Sequence, residues 1–373
     1  MRFPEFSGKW KKVRLGEECN MLCGYAFNGE DIVEQGSYLL MRGINITEGS
    51  IRHSSELDRY YSGSIEKLDK YKLAVGDLVI GMDGSKVGRN SAIVSSYEDG
   101  SYLVQRVCRI KSSIGNNYIL QFINNTKFHQ YVDTVKTSSA IPHISLRDIQ
   151  NYRISIPPTQ NETDKIAKLF LLIDERIATQ NKIIEDLKKL KSAISERLFK
   201  SVKGSTVLLS DLCDIVKGKQ INGENLSDSG NYYVMNGGTE PSGYYDNYNV
   251  AASTISISEG GNSCGYVQFN TSPFWSGGHC YSIQNIADKV DNMYLYHYLK
   301  SNEDAIMKLR IGSGLPNIQK KDLAMFKIIV PKIEWQIKIS TFLSSLERKA
   351  EIEERIQNVM QKKKLYLLQQ MFI

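Results

Sequence analysis

The stretch VRLGEECNMLCGYAFNGEDIVEQGSYLLMRG at Val13–Gly43 returns, shifted by 194 residues, as VLLSDLCDIVKGKQINGENLSDSGNYYVMNG at Val207–Gly237. Eleven of the thirty-one positions are identical: Val13/Val207, Leu15/Leu209, Cys19/Cys213, Gly24/Gly218, Asn28-Gly29-Glu30 over Asn222-Gly223-Glu224, Gly36/Gly230, Tyr38/Tyr232, Met41/Met235 and Gly43/Gly237. A second block, Thr137–Pro157, returns at a shift of 174 as Ile311–Pro331. In it Ser139, Pro142, Ile144, Asp148, Ile154 and Pro157 recur as Ser313, Pro316, Ile318, Asp322, Ile328 and Pro331. Each block leads into a long charged helical pattern, now shifted by 173, which runs to Phe199 and to Phe372. The chain is therefore two copies of one unit, each a globular module followed by a long helix. A duplicated module on a duplicated spacer implies a partner with two halves.

The totals fit this division. At 373 residues the chain can hold two domains that each bury a core. Its 41% hydrophobic and 24% charged content is that of a soluble globular protein. A net charge of +6, from 47 basic against 41 acidic residues, permits a nucleic-acid partner without requiring one. The opening MRFPEFSGKW has no signal-like apolar core, and no run of about 18 apolar residues predicts a membrane span. A cytoplasmic location is expected, with the six cysteines reduced. Cys19 and Cys23 have the look of half a metal site, but Lys217 stands where Cys23 does, so no zinc site is expected.

The spacing of apolar and turn residues predicts an α+β fold. Leu73–Ile80 and Ser101–Ile110 read as strands, separated by the glycine-punctuated turn GMDGSKVGRN at Gly81–Asn90. The second module offers Ser253–Phe269 as the counterpart, and short helices are expected over Tyr118–Tyr131 and Met293–Leu309. The first module is about twenty residues longer, the difference between the shifts of 194 and 174, and the excess falls in the unmatched middle. Like ends suit a common scaffold, and unlike middles suit two different targets. The second module also carries Tyr232, Tyr233, Tyr244, Tyr245, Asn247, Tyr248, Trp275 and His279. Such side chains can stack on bases, but they equally suit sheet packing or sugar binding.

In the first helical pattern Ile166, Phe170, Ile173, Ile177, the polar Gln180, Ile184 and Leu187 alternate steps of three and four, the spacing of a coiled-coil seam. Ile339, Leu343, Leu346 and Ala350 repeat it, with Glu353 in place of Gln180. Beyond that point a change of phase is expected in both copies, through Leu187, Leu190, Ile194 and Leu198, and through Met360, Leu367 and Met371. Helices of 35–40 residues would be about 50–60 Å long, and one with a single apolar stripe needs a partner. The order module–helix–module–helix favours two antiparallel helices and an approximate two-fold relation between the copies. The competing arrangement folds each helix back on its own module. The domains read as 1–158, 159–203 (helix), 204–331 and 332–373 (helix).

Catalytic signatures are missing. The sequence has no Asn- or Asp-Pro-Pro-aromatic methyltransferase motif and no GxxxxGK[ST] loop. None of His53, His129, His143, His279 and His297 recurs between the copies. A duplicated protein without a duplicated catalytic group is expected not to be an enzyme.

Four ordered features carry a family resemblance. They are RFPEFSGKW-x-x-x-x-LGE at Arg2–Glu17, the S-x-x-P-x-I-x-x-x-D blocks at Ser139–Asp148 and Ser313–Asp322, the I-x-I-P and I-I-V-P runs ending at Pro157 and Pro331, and the helical LFLLID at Leu169–Asp174 with FLSSLE at Phe342–Glu347. Together they resemble the specificity subunits of type I restriction–modification systems over essentially the whole chain. The family's Glu-Gln pair at the helix start survives only in part, as Gln160-Asn161-Glu162 and Glu334-Trp335-Gln336, which is expected to affect capping alone. The resemblance implies two target-recognition domains, each reading one half of a split double-stranded DNA sequence, and helices that set the unread spacer. It implies partners as well: two methyltransferase subunits, which bind S-adenosylmethionine and methylate adenine N6, and a nuclease/translocase subunit that can join. The chain itself would carry no cofactor. On this reading Arg42, Ser85, Lys86, Arg89 and Asn90 are candidate DNA contacts in the first module, and Lys217, Lys219, Asn236, Asn262 and Ser263 in the second. The alternative is a duplicated protein-interaction or carbohydrate-binding adaptor on a coiled-coil rod, which accounts for the repeat and the aromatics but not for the ordered motifs.

Overall fold

The computed structural model describes residues 2–312, 314 and 316–372, so Ser313 of the second repeat block lies outside the described residues. The chain divides into two compact units, Met1–Gln180 with Ile356–Ile373, and Asn181–Arg355. Both divisions fall within the long helices, Gln160–Ser201 and Ile333–Met371.

In the first unit an antiparallel four-stranded sheet has the order Cys19–Cys23, Val107–Ser112, Leu78–Gly81, Ser91–Ile93. A second sheet sets Tyr38–Met41 between Tyr102–Leu103, which is parallel to it, and Tyr60–Tyr61, which is antiparallel. Lys11–Arg14 pairs with Arg153–Ile156, closing the module's two ends together. The second unit repeats the plan. Its sheet runs Asp214–Lys217, Cys280–Gln284, Thr254–Ser258, Val267–Asn270, and Tyr232–Met235 lies between Tyr244–Tyr245 and the parallel Trp275–Ser276. Ser205–Leu208 pairs with Lys327–Val330. The repeated sequence blocks are these closing strands and the first strands of each sheet. Most of the extra length of the first module lies between Gly43 and Leu78, where it builds the hairpin Ile46–Thr47/Ser50–Ile51.

Some expected elements are interrupted. Leu73–Asp77 precedes its strand as a turn in which Asp77 accepts from the backbone N–H of Ala74. The run Ser101–Ile110 breaks at Arg106, whose φ of 67° sends Tyr102–Leu103 and Val107–Ser112 into different sheets. The expected helices are pairs, Asn116–Ile123 with Thr126–Val135 and Asn292–Ser301 with Glu303–Met307, divided at asparagines. Asn125 caps the second helix of the first pair by accepting from the Lys127 N–H.

Each unit is held to the long helices by a matching aromatic cluster. Tyr118 and Phe122 meet Phe372 at centroid distances of 5.6 and 4.5 Å, and Tyr294 and Tyr298 meet Phe199 at 5.8 and 5.2 Å. Phe199 and Phe372 are 173 residues apart and both are buried. The hydroxyls of Tyr118 and Tyr294 donate to the carbonyls of Ser155 and Ile329, which lie in the equivalent closing strands. Burying each phenylalanine contributes about 2–3 kcal/mol. The start of each helix packs on the module before it, through Ile166 and Phe170 in one unit and Ile339 and Leu343 in the other. Helix starts thus fold onto their own modules, while the helix ends supply Phe372 to the first unit and Phe199 to the second.

Along the helices Thr163, Ile166, Phe170, Ile173, Ile177, Gln180, Ile184, Leu187, Lys191, Ile194 and Leu198 are buried or half-buried in unbroken steps of three and four. The same line at plus 173 is Gln336, Ile339, Leu343, Leu346, Ala350, Glu353, Gln357, Met360, Lys364, Leu367 and Met371. The expected change of phase is therefore absent. Leu190 is 50% exposed, and Lys191 takes the inward position. In the first unit Lys364 Nζ pairs with Asp174 at 2.5 Å, and in the second Lys191 Nζ pairs with Glu347 at 2.7 Å. Adding 173 to Asp174 and Lys191 gives Glu347 and Lys364, so this is one ion pair made twice. Within the second unit Lys188–Glu354 and Lys191–Glu347 run in opposite senses along the two helices, which are antiparallel there. The same holds in the first unit for Phe170–Phe372 and Asp174–Lys364.

The helix starts also differ in how they are tied down. Buried Glu162 accepts from Arg2 and from Trp10 Nε1, whereas Gln336 donates to the carbonyls of Pro331 and Lys289 and accepts from the Asp291 N–H. Trp335, at the place of Glu162, is exposed.

Candidate nucleic-acid interface

Both modules build the same glycine turn, and the S-x-x-P block is what fastens it. Gly84 N–H donates to the Pro142 carbonyl and Ile144 N–H to the Met82 carbonyl, each at 3.0 Å. In the second module Gly261 N–H donates to Pro316 at 3.0 Å and Ile318 N–H to Glu259 at 2.8 Å. The turn then closes identically, with Gly88 N–H on Gly81 and Gly265 N–H on Ser258. Gly84, Gly88, Gly261 and Gly265 all have φ between 70° and 92°, a region that a side chain strains. These bonds place Ser85 and Lys86 where Asn262 and Ser263 stand, so four of the sequence-selected positions are structural equivalents.

The side chains on this frame differ. Ser85 and Lys86 are exposed, with Lys86 Nζ 3.1 Å from Glu48. Arg89 reaches Asp133 at 2.8 Å and Asn90 is half-buried. Arg42 follows the strand Tyr38–Met41, one residue before Gly43, whose Cβ position would face Asp83 of the turn, and donates to the Leu57 carbonyl. In the second module Lys217 and Asn236 converge on one cluster. Lys217 Nζ lies 2.6 Å from Glu259 Oε1, and His279, whose N–H donates to Asn236 Oδ1, holds Nδ1 3.8 Å from Glu259 Oε2. Asn262 is exposed on the adjoining turn and Ser263 half-buried. Lys219 stands apart as an exposed side chain, its carbonyl accepting from Trp275 Nε1.

Glu259 and Tyr281 escape sequence reasoning because neither recurs. The Tyr281 hydroxyl is 3.1 Å from Glu259 Oε1 and 3.0 Å from the Ile318 carbonyl. Burial, then the charge of Glu259, pushes that hydroxyl well above its ordinary pKa, so it remains a donor. Glycines let the backbone close in around the cluster: a Cβ on Gly277 would sit 2.5 Å from Asn236 Oδ1, and one on Gly278 2.3 Å from Gln220 Oε1. Several of the module's aromatics, in contrast, pack on one another. Tyr233 stacks on Phe274, Tyr232 meets Tyr248 and Tyr245 meets Trp275. Among the described residues no group of three or more His, Cys, Asp or Glu could hold a metal ion. No helix of the described residues is long and apolar enough to cross a membrane.

Over residues 7–189 and again over 203–362 the chain matches the family model of the type I restriction modification DNA specificity domain. It is 34% identical over 122 residues to a putative type I specificity subunit of Mycoplasma genitalium, covering 32% of this chain and 31% of that one. It is 30% identical over 179 residues to the specificity subunit of the type I restriction enzyme EcoAI of Escherichia coli, covering 47% and 29%. These matches span about a third of the length of the curated relatives. Among solved structures, the S subunit of the type I restriction–modification system of M. genitalium superposes with a TM-score of 0.69 at 17% identity, over 100% of this chain and 97% of that one. At that identity the likeness concerns the fold alone.

Proposed function

The chain belongs to the type I restriction–modification DNA specificity family, and from that premise we propose that it reads a split double-stranded DNA target, one half-site per module. The observation that carries this reading is the glycine turn built twice on the same hydrogen bonds and furnished with different side chains. A common scaffold with unlike turn residues suits two half-sites of unlike sequence, read at base edges and anchored by phosphate contacts. Arg42, Ser85, Lys86, Arg89 and Asn90 serve the first half-site, and Lys217, Lys219, Asn236, Asn262 and Ser263 the second. The chain is the non-catalytic member of its assembly. Two methyltransferase subunits carry S-adenosylmethionine and methylate adenine N6, and nuclease/translocase subunits can join. The adaptor alternative is not favoured, because both family domains are present in order.

Deletion tests the reading. Genome-wide mapping of N6-methyladenine, with and without the gene, is expected to lose one split motif in the deletion strain. A methylome identical in both strains, with no split motif, contradicts it.

A further inference from the structure

Three equivalent positions at the base of the glycine turn have opposite chemistry in the two modules. The 194-residue shift pairs Cys23 with Lys217, the turn hydrogen bonds pair Met82 with Glu259, and the strand registers pair Cys108 with Tyr281. In the first module these are sulfur side chains in contact, with Cys23 Sγ 3.7 Å from Met82 Sδ. In the second they are an ammonium, a carboxylate and a phenol joined by contacts of 2.6 and 3.1 Å. The first module holds the same turn with sulfur side chains at these three positions, so the scaffold does not need the ion pair. Tyr281 does not need it either, since the Ile318 carbonyl lies at 3.0 Å.

We propose that Lys217 specifies a guanine in the second half-site, and that Glu259 is the positioning residue that aims it. This rests on the DNA-reading function above and names a base for it. The Lys217 side chain is 54% exposed while Glu259 beneath it is 9% exposed. One of the three ammonium donors is spent on Glu259, which leaves two for the N7 and O6 acceptors on the major-groove edge of guanine. A lysine that serves as a phosphate contact works as a free, mobile charge. This one is hydrogen-bonded to a carboxylate that balances its charge, which favours a short, directional contact over long-range attraction. His279 and Asn236 flank the pair, at the positions that Arg106 and Arg42 take in the first module.

The test uses the full chain in complex with its methyltransferase partner, selecting duplexes from a randomised library. The wild-type complex is expected to enrich a split site. Lys217→Met is expected to keep the first half-site and all of the second except one guanine, where preference falls at least tenfold. Glu259→Gln keeps an acceptor for Tyr281 but frees the lysine. It is expected to weaken preference at that same guanine while steepening the salt dependence by about one charge. Uniform weakening across sequences with a shallower salt slope in Lys217→Met marks a phosphate contact and overturns the assignment. So does an unchanged consensus in both variants. A wild-type complex that enriches no split site instead sinks the function on which the assignment rests.

Discussion

His297 shows how a single side chain records the duplication and departs from it. It is buried beside the helix seam with Nε2 2.9 Å from Ser344 Oγ, at the place where the first unit has Gln121. Burial, against the opposing pull of Glu347, lowers its pKa from 6.5 to about 4. Because the folded value lies below the unfolded one, the unfolded chain takes up the proton first as the pH falls. The stability is therefore full above about pH 6.5 and is lost between there and about pH 4, by up to about 3 kcal/mol. Urea unfolding at pH 7.5, 5.5 and 4.5 should show this loss. In His297→Gln, which installs the residue of the other unit, that part of the pH dependence should vanish. An unchanged profile in the variant would assign the acid sensitivity to other groups.

Among the elements, the seam of the long helices was legible in the sequence at each expected inward position except Leu190. The exception has a physical cause: hydrophobicity favours the leucine as the inward residue, but its lysine neighbour takes that place. Lys191 lays its stem along the seam and carries its charge to Glu347, so the three–four spacing continues while Leu190 faces solvent. Exchanging Leu190 for Lys should change stability by less than about 0.5 kcal/mol. Lys191→Ala should cost about 1 kcal/mol by leaving Glu347 half-buried without its counter-ion. Equal effects in thermal unfolding would contradict this assignment of the seam. The broken strands were hidden for a different reason. Arg106 gives no glycine-like signal for its positive φ, so a continuous apolar run conceals a crossing between two sheets.

For the molecule as a whole, the duplication and the fold class could be read directly, because closing strands, glycine turns and helix seams must satisfy the same packing twice. The reading surface could not. Comparing copies finds what recurs, and a specificity residue is by its nature one that does not. Lys217 is legible as part of a polar, glycine-rich segment, whereas Glu259 is hidden because its counterpart is Met82, a residue that suggests only core. Half of the candidate cluster therefore became visible only through hydrogen-bond equivalence.

The central claim is that each module owns one half-site. The measurement that tests it most directly maps N6-methyladenine in a strain whose chain carries the first module in both places, with the long helices unchanged. The account predicts a split motif that contains the first half-site twice and has lost the second. Persistence of the original second half-site, after the module assigned to it has been removed, would contradict the account.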